Sequence, residues 1–310
     1  MRSTIALLAG LLAGLALAAA PSAAAAAPPS SCEWSSGVDA ITSLGVFDSS
    51  AGSARAAGDP PREPTLNETY EALPTSAYGK GGPNFRASVP VWFHVITDGA
   101  TGALTDAQIR EQINVLNRAF SGAYGGARSG FTFSLAGVTR SDDANWFNAR
   151  IGSFSEREMK GALRSGGFET LNVYSNLAGG YLGYAYLPGL PDSRLAIDGI
   201  VLHHGSLPGQ PDFAGRYDLG LTLVHEAGHW VNLEHTFYGG CNAKGDFVDD
   251  TPAMLVPTSG CPAGKDTCPK KPGLDPIHNY MDYSYDACYD QFTPGQVARA
   301  QDSWLYFRAA

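Results

Sequence analysis

The chain has 310 residues, 30 acidic against 21 basic, a net charge of −9, and 44% hydrophobic residues. With that balance and no basic run, nothing favours a nucleic-acid partner, and the acidity suits a soluble secreted protein. The length left after any leader fits one large domain or two subdomains around a cleft.

Residues 1–27 carry Arg2, an apolar run from Ile5 to Ala20, then alanines around Pro21 and Ser22. That order reads as a secretory signal with cleavage points up to Ala27. The apolar run is short for a membrane anchor, which needs about 20 residues, so no membrane attachment is expected once it is removed. Residues 28–83 are rich in Ser, Ala, Gly and Pro, cannot bury a core, and read as a propeptide. Cys32 lies there and is the odd one of five cysteines. It is either a thiolate that caps a metal until the propeptide is cut or a cysteine discarded with the leader. Asn67-Glu68-Thr69 is a glycosylation sequon.

The folded domain is expected over residues 84–310, divided near residue 232 into 84–232 and 233–310. Val89–Thr97 reads as its first strand. Thr105 and Gln108 form a capping box for a helix whose Ile109, Ile113, Leu116 and Phe120 share one face, as a helix backing a sheet requires. Phe131, Phe133 and Leu135 alternate as a second strand. Ser155 and Glu158 are expected to cap a shorter helix bearing Met159 and Leu163, and Leu171–Tyr174 is a third strand. Gly179 to Pro188 reads either as an edge strand ended by proline or as a tyrosine-rich packing strand. Gly199–His203 leads toward the next helix. His94, His203, His204 and His278 are assigned structural tasks.

Residues 225–235 read His225-Glu226-Ala227-Gly228-His229-Trp230-Val231-Asn232-Leu233-Glu234-His235, after the apolar run Leu219–Val224. Helical residues four apart differ by about 40° and roughly 6 Å along the axis, so His225 and His229 can meet one ion. Zn–N bonds of about 2.0–2.1 Å suit that spacing. Glu226 is placed to hold a water beside it. His235 reaches the same ion only if the chain turns back near Asn232, and Asn is second to Gly in tolerating φ > 0.

Beyond His235, Asp246, Asp249, Asp250 and Thr251 crowd oxygen atoms into a Gly-containing loop, either a calcium site or a solvated acidic loop. Cys241, Cys261, Cys268 and Cys288 read as two disulfides, with three pairings open. Thr293-Pro294-Gly295-Gln296 starts a last helix, with Val297, Ala300, Trp304 and Leu305 facing inward.

Three features together resemble the metzincin metalloproteases: the helix motif, the spacing to His235, and Asn279-Tyr280-Met281-Asp282-Tyr283, which looks like a Met-turn. His235-Thr236-Phe237, Gly239-Gly240-Cys241, Asp249-Asp250-Thr251-Pro252 and Gly273 to Ser284 narrow the likeness to the pappalysin family, in its small secreted microbial branch. Asn232 departs from the pattern, which has Gly there.

The resemblance implies a mixed α/β fold: a twisted, mainly parallel sheet with a backing helix and an active-site helix. A small irregular C-terminal subdomain, stapled by Cys241–Cys268 and Cys261–Cys288, would end in a helix. It implies one zinc ion held by His225, His229 and His235, with Glu226 as general base, and calcium near Asp246, Asp249 and Thr251. Met281 would floor the site, Tyr283 would either stabilise charge on the carbonyl oxygen or serve as a core phenol, and Asp286 would either shape the S1′ wall and favour Arg or Lys after the cut or only cap a turn. A secreted, monomeric endopeptidase acting on extended polypeptides is the expectation. The alternatives are a catalytically silent binding module and a zinc hydrolase of non-peptide amides.

Overall fold

The structure is a computed structural model that describes residues 73–309 except 243 and 244. The expected leader, Cys32 and Asn67 lie outside the described residues. Side-chain alternation builds a sheet of β1 (Ala87–Thr97), β2 (Phe131–Asp142), β3 (Leu171–Asn176), β4 (Gly183–Ala185) and β5 (Ile200–His203). The strand order is β2-β1-β3-β5-β4, parallel throughout except for β4. Parallel strands are buried on both faces, and the chain supplies two cores accordingly. Val91, Phe93, Val173, Ile200 and Leu202 face one core, while Ile96, Tyr174, Val201, Tyr184 and Tyr186 face the other.

The first face is covered by α1 (Asp106–Phe120), α4 (Leu221–Trp230) and α5 (Pro294–Phe307). The Thr105–Gln108 capping box is present, and Ile109, Ile113, Leu116 and Phe120 are all buried. The second face carries α2 (Ala144–Phe147) and α3 (Phe154–Leu163). The cap of α3 is Ser153 rather than Ser155: its hydroxyl accepts from Glu156 N at 3.1 Å, and Glu156 Oε2 accepts from Gly152 N at 2.6 Å. The earlier start faces Glu156 and Lys160 inward, where they pair at 2.9 Å with almost no exposure.

β4 spans only Gly183–Ala185, not Gly179–Pro188. A 3-10 turn with positive φ at Ala178, Gly179 and Gly180 replaces its first part. It is the last strand on its side of the sheet. Residues 79–82 are tied to α5: Gly79, Lys80 and Gly81 amides all donate to the Asp302 carboxylate at 2.7 Å, and Gly82 N donates to Gln301 Oε1 at 2.7 Å. Packing against α5 therefore begins upstream of residue 84.

Between α4 and α5 the described chain holds only one 3-10 turn, Asp286–Cys288, and the disulfides Cys241–Cys268 and Cys261–Cys288 join it. Such bridges restrict the unfolded chain where little core exists. Thr293 and Gln296 cap α5 with Pro294 in its first turn. Val297, Ala300 and Trp304 are buried, but Leu305 is exposed, because one further residue turns the side chain about 100° off that face.

Candidate active site

Helix α4 is buried along its whole length. Its N-cap, Gly220, has φ 81° and supplies no side chain to the orphaned amides. Asp286 fills that gap from a distant loop, its Oδ2 accepting from Leu219 N at 2.9 Å and Leu221 N at 3.4 Å. A carboxylate there also complements the positive end of the helix. From α1, Gln112 Nε2 donates to Gly220 O at 2.8 Å.

At the other end the chain reverses at Asn232, whose φ is 78°. The Asn232 carbonyl accepts from Arg299 Nε of α5 at 2.8 Å. The reversal brings His235 to the two helical imidazoles. His229 Nε2 lies 3.2 Å from His225 Nε2 and 3.1 Å from His235 Nε2. His225 Nδ1 meets Tyr280 O at 2.6 Å, and His229 Nδ1 meets Leu233 O at 2.7 Å. A carbonyl only accepts, so both Nδ1 atoms carry the proton and both Nε2 lone pairs face the centre. Lone pairs at this distance repel unless a cation lies among them. Three nitrogens around a tetrahedral zinc stand about 3.3 Å apart, given Zn–N of about 2.0–2.1 Å. The donor set fits such an ion.

Three further groups enclose this centre. Met281 is fully buried beneath α4, and a Cβ on Gly228 would come 2.4 Å from its Sδ, so only glycine fits there. Tyr283 lies with ring centroids 5.0 Å from His235 and 5.7 Å from His225. Glu226 is 1% exposed, and its Oε1 would lie 2.9 Å from a Cβ on Gly183 of β4. Leu182, Leu221, Thr222, His225, Glu226, Tyr283 and Tyr289 line a pocket open at its mouth.

The other histidines are held elsewhere. His94 bonds Thr139 Oγ1 at 2.8 Å and Asn172 Oδ1 at 3.0 Å, and His278 Nδ1 donates to Cys288 O at 2.6 Å. His203 and His204 approach Asp212 as a second cluster of potential ligands. His203 Nδ1, however, accepts from Gly205 N at 3.0 Å, so that lone pair is engaged in capping a turn.

In the acidic loop, Thr251 Oγ1 lies 2.6 and 2.8 Å from the two Asp246 oxygens and 2.9 Å from Val248 O. Asp249 does not join them and is exposed. Asp250 instead caps α5, accepting from Thr293 Oγ1 at 2.6 Å and Gly295 N at 2.8 Å.

Sequence reasoning missed Gly183, Thr222, Arg299 and Asp198. Thr222 alone carried a local signal, being three and four residues before His225 and Glu226 on one helical face.

Sheet, buried helix and converging imidazoles define a metallohydrolase centre of the metzincin type. The family model described as Pregnancy-associated plasma protein-A matches residues 172–304. An extracellular metalloprotease of Pyricularia oryzae is 47% identical over 228 residues, 72% of this chain and 76% of the relative. One from Arthroderma benhamiae is 40% identical over 278 residues, 87% of this chain and 90% of the relative. Mature mirolysin of Tannerella forsythia, solved in complex with a cleaved peptide, is 30% identical with a TM-score of 0.60, covering 71% of this chain and 92% of that one. The chain belongs to the pappalysin family of metalloproteases. The family implies a bound metal ion, and His225, His229 and His235 form a triad of donors able to hold one.

Proposed function

We propose that the chain is a secreted zinc endopeptidase that cuts extended polypeptides, with zinc on His225, His229 and His235. The observation that carries this reading is the convergence of three Nε2 atoms with the Glu226 carboxylate beside them. Zinc, when bound, polarises the scissile carbonyl and lowers the pKa of its water to about 7. Glu226 takes a proton from the attacking water and returns it to the leaving nitrogen. Tyr283 donates its phenol proton to the oxygen that gains charge. Met281 packs under α4 and holds the floor. The outer edge of β4 receives the substrate as an added strand, which gives main-chain binding independent of sequence. Secretion is supported by the leader-like N-terminus and by the names of the relatives.

Casein cleavage that 1,10-phenanthroline abolishes and added zinc restores is the expected result. No cleavage by zinc-loaded protein would sink the endopeptidase reading and leave the silent module or the non-peptide hydrolase.

Gly183 offers a finer check. Gly183→Ala is expected to push the Glu226 carboxylate aside and lower kcat by about 10- to 100-fold. The melting temperature should barely move, since the displaced atoms end a flexible side chain. A full kcat would show that the Gly183 backbone does not set the base's position.

Asp286 is read as the acid that favours Arg or Lys after the cut, acting through the wall formed by Leu221. An unchanged cleavage profile in Asp286→Ala would confine it to capping α4.

Calcium is proposed at Asp246, Thr251 and the Val248 carbonyl, without Asp249. The Thr251 hydroxyl has one proton for three oxygens, and a hard cation suits the remainder. Burial pushes the Asp246 carboxyl up to about 6, against the opposing Thr251 and Val248 hydrogen bonds. Its ordinary value is 3.8. Between these values the folded state binds more protons than the unfolded one, so without a cation stability falls as pH rises from about 4 to 6. Saturating calcium at pH 7 is expected to raise the melting temperature by about 5–10 °C. Asp246→Asn should remove that rise in a calorimetric titration.

A further inference from the structure

The turn that delivers His235 is held from a distance. Asn232 and Phe247 have positive φ, 78° and 64°, a conformation that residues other than glycine adopt at a cost. Among the described residues, Ala178 is the one other non-glycine of this kind. Such strain persists only where the surroundings impose it. Asn232 and Phe247 meet the same buried side chain, that of Arg299 in α5. Its Nε donates to Asn232 O at 2.8 Å, and its guanidinium carbon lies 5.4 Å from the centre of the Phe247 ring.

The bond to Asn232 O acts on a single peptide plane. The oxygen of that plane belongs to Asn232 and its N–H to Leu233, which donates to Gly228 O at 2.9 Å. A planar peptide gripped at both ends has little freedom to rotate. Leu233 O then accepts the His229 Nδ1 proton, and His235 follows two residues later. One plane thus governs two of the three donors. Phe247 ties in the far side of the turn. Its ring centroid lies 5.5 Å from that of Tyr238, and Tyr238 N donates to His235 O at 2.9 Å. Asp246, next to Phe247, supplies the counter-charge to the guanidinium. A cationic donor makes a stronger hydrogen bond to a carbonyl than a neutral one does.

We propose that Arg299 is a positioning residue for the metal: its bond to the Asn232 carbonyl offsets the cost of positive φ and holds His229 and His235 in register for one ion. This rests on the zinc reading above. It explains how the chain keeps the reversal with asparagine where the metzincin pattern has glycine.

The test is the zinc affinity of the full chain, measured by competition with a chromophoric chelator in two backgrounds. Arg299→Met keeps most of the stem and removes the donor. Affinity is expected to fall about 10- to 100-fold, as when a group that orients a metal ligand is lost. Asn232→Gly removes the cost of positive φ, so in that background Arg299→Met should lower affinity by no more than about threefold. A general loosening of the packing around residue 299 would act equally in both backgrounds. Unchanged affinity in Arg299→Met, or a loss no larger with Asn232 than with glycine, overturns the inference and leaves the zinc reading intact. Arg299→Lys keeps the charge beside Asp246 and carries the same comparison, with the same outcomes, if Arg299→Met does not fold. Wild-type protein that takes up no stoichiometric zinc overturns both.

Discussion

Glu226→Gln is expected to lower kcat/KM by about 10²- to 10⁴-fold while metal content and melting temperature stay at wild-type values. Glutamine keeps the volume that lies against Gly183, so no cavity opens. It cannot accept a proton from water, which is the step assigned to the carboxylate. The histidines are untouched, so the site keeps its three donors. Replacing a 1%-exposed carboxylate by a neutral amide also removes a desolvation cost, which works against any loss of stability. Metal analysis beside peptide kinetics decides the matter. A variant with full metal and near-normal turnover would take Glu226 out of the mechanism, and one that loses the metal would assign it to holding the site together.

Asp198→Ala is expected to cost about 3–5 kcal/mol, a drop in melting temperature of roughly 10 °C. Asp198 is 1% exposed just before β5 and meets Arg308 through both oxygens at 3.1 Å. Arg164 stands 3.5 Å away, and Trp230 Nε1 donates to Oδ2 at 3.3 Å. Arg308 in turn lies 3.7 Å over the Trp230 ring and donates Nε to Trp230 O at 2.7 Å. Burial lowers the pKa of the Arg308 guanidinium, and Asp198 opposes that shift. Removing the acid leaves two arginines facing each other without a counter-charge, at the end of the helix that carries His225 and His229. Activity should therefore fall with stability. Denaturant unfolding measures the cost. The double variant Asp198→Leu with Arg308→Met should lose less than Asp198→Ala, because it strands only Arg164 instead of both arginines. Equal losses would mean that shape rather than charge governs the cluster.

Much of this was legible from local order alone. The spacing of His225, Glu226 and His229 requires only the helical repeat. The tolerance of asparagine for positive φ predicted the reversal that the structure places at Asn232, with φ 78°. The Thr105 and Thr293 caps are likewise short-range patterns. The disulfide pairing was different: composition left three pairings open, and family likeness chose the one found. Local order misled at α3, where two serines compete and the inward pairing of Glu156 with Lys160 selects Ser153. It also overran at β4, where the glycines build a turn.

The sequence by itself determined which residues could reach a metal, because those residues are neighbours along one helix and its following turn. Only the tertiary structure decided what surrounds them. Gly183 against Glu226, Asp286 at the head of α4, Arg299 on the Asn232 carbonyl and Asp198 with Arg308 all join segments far apart in the chain. Periodicity records which face a residue presents. It does not record which distant segment arrives there, since that follows from burying all the apolar faces at once.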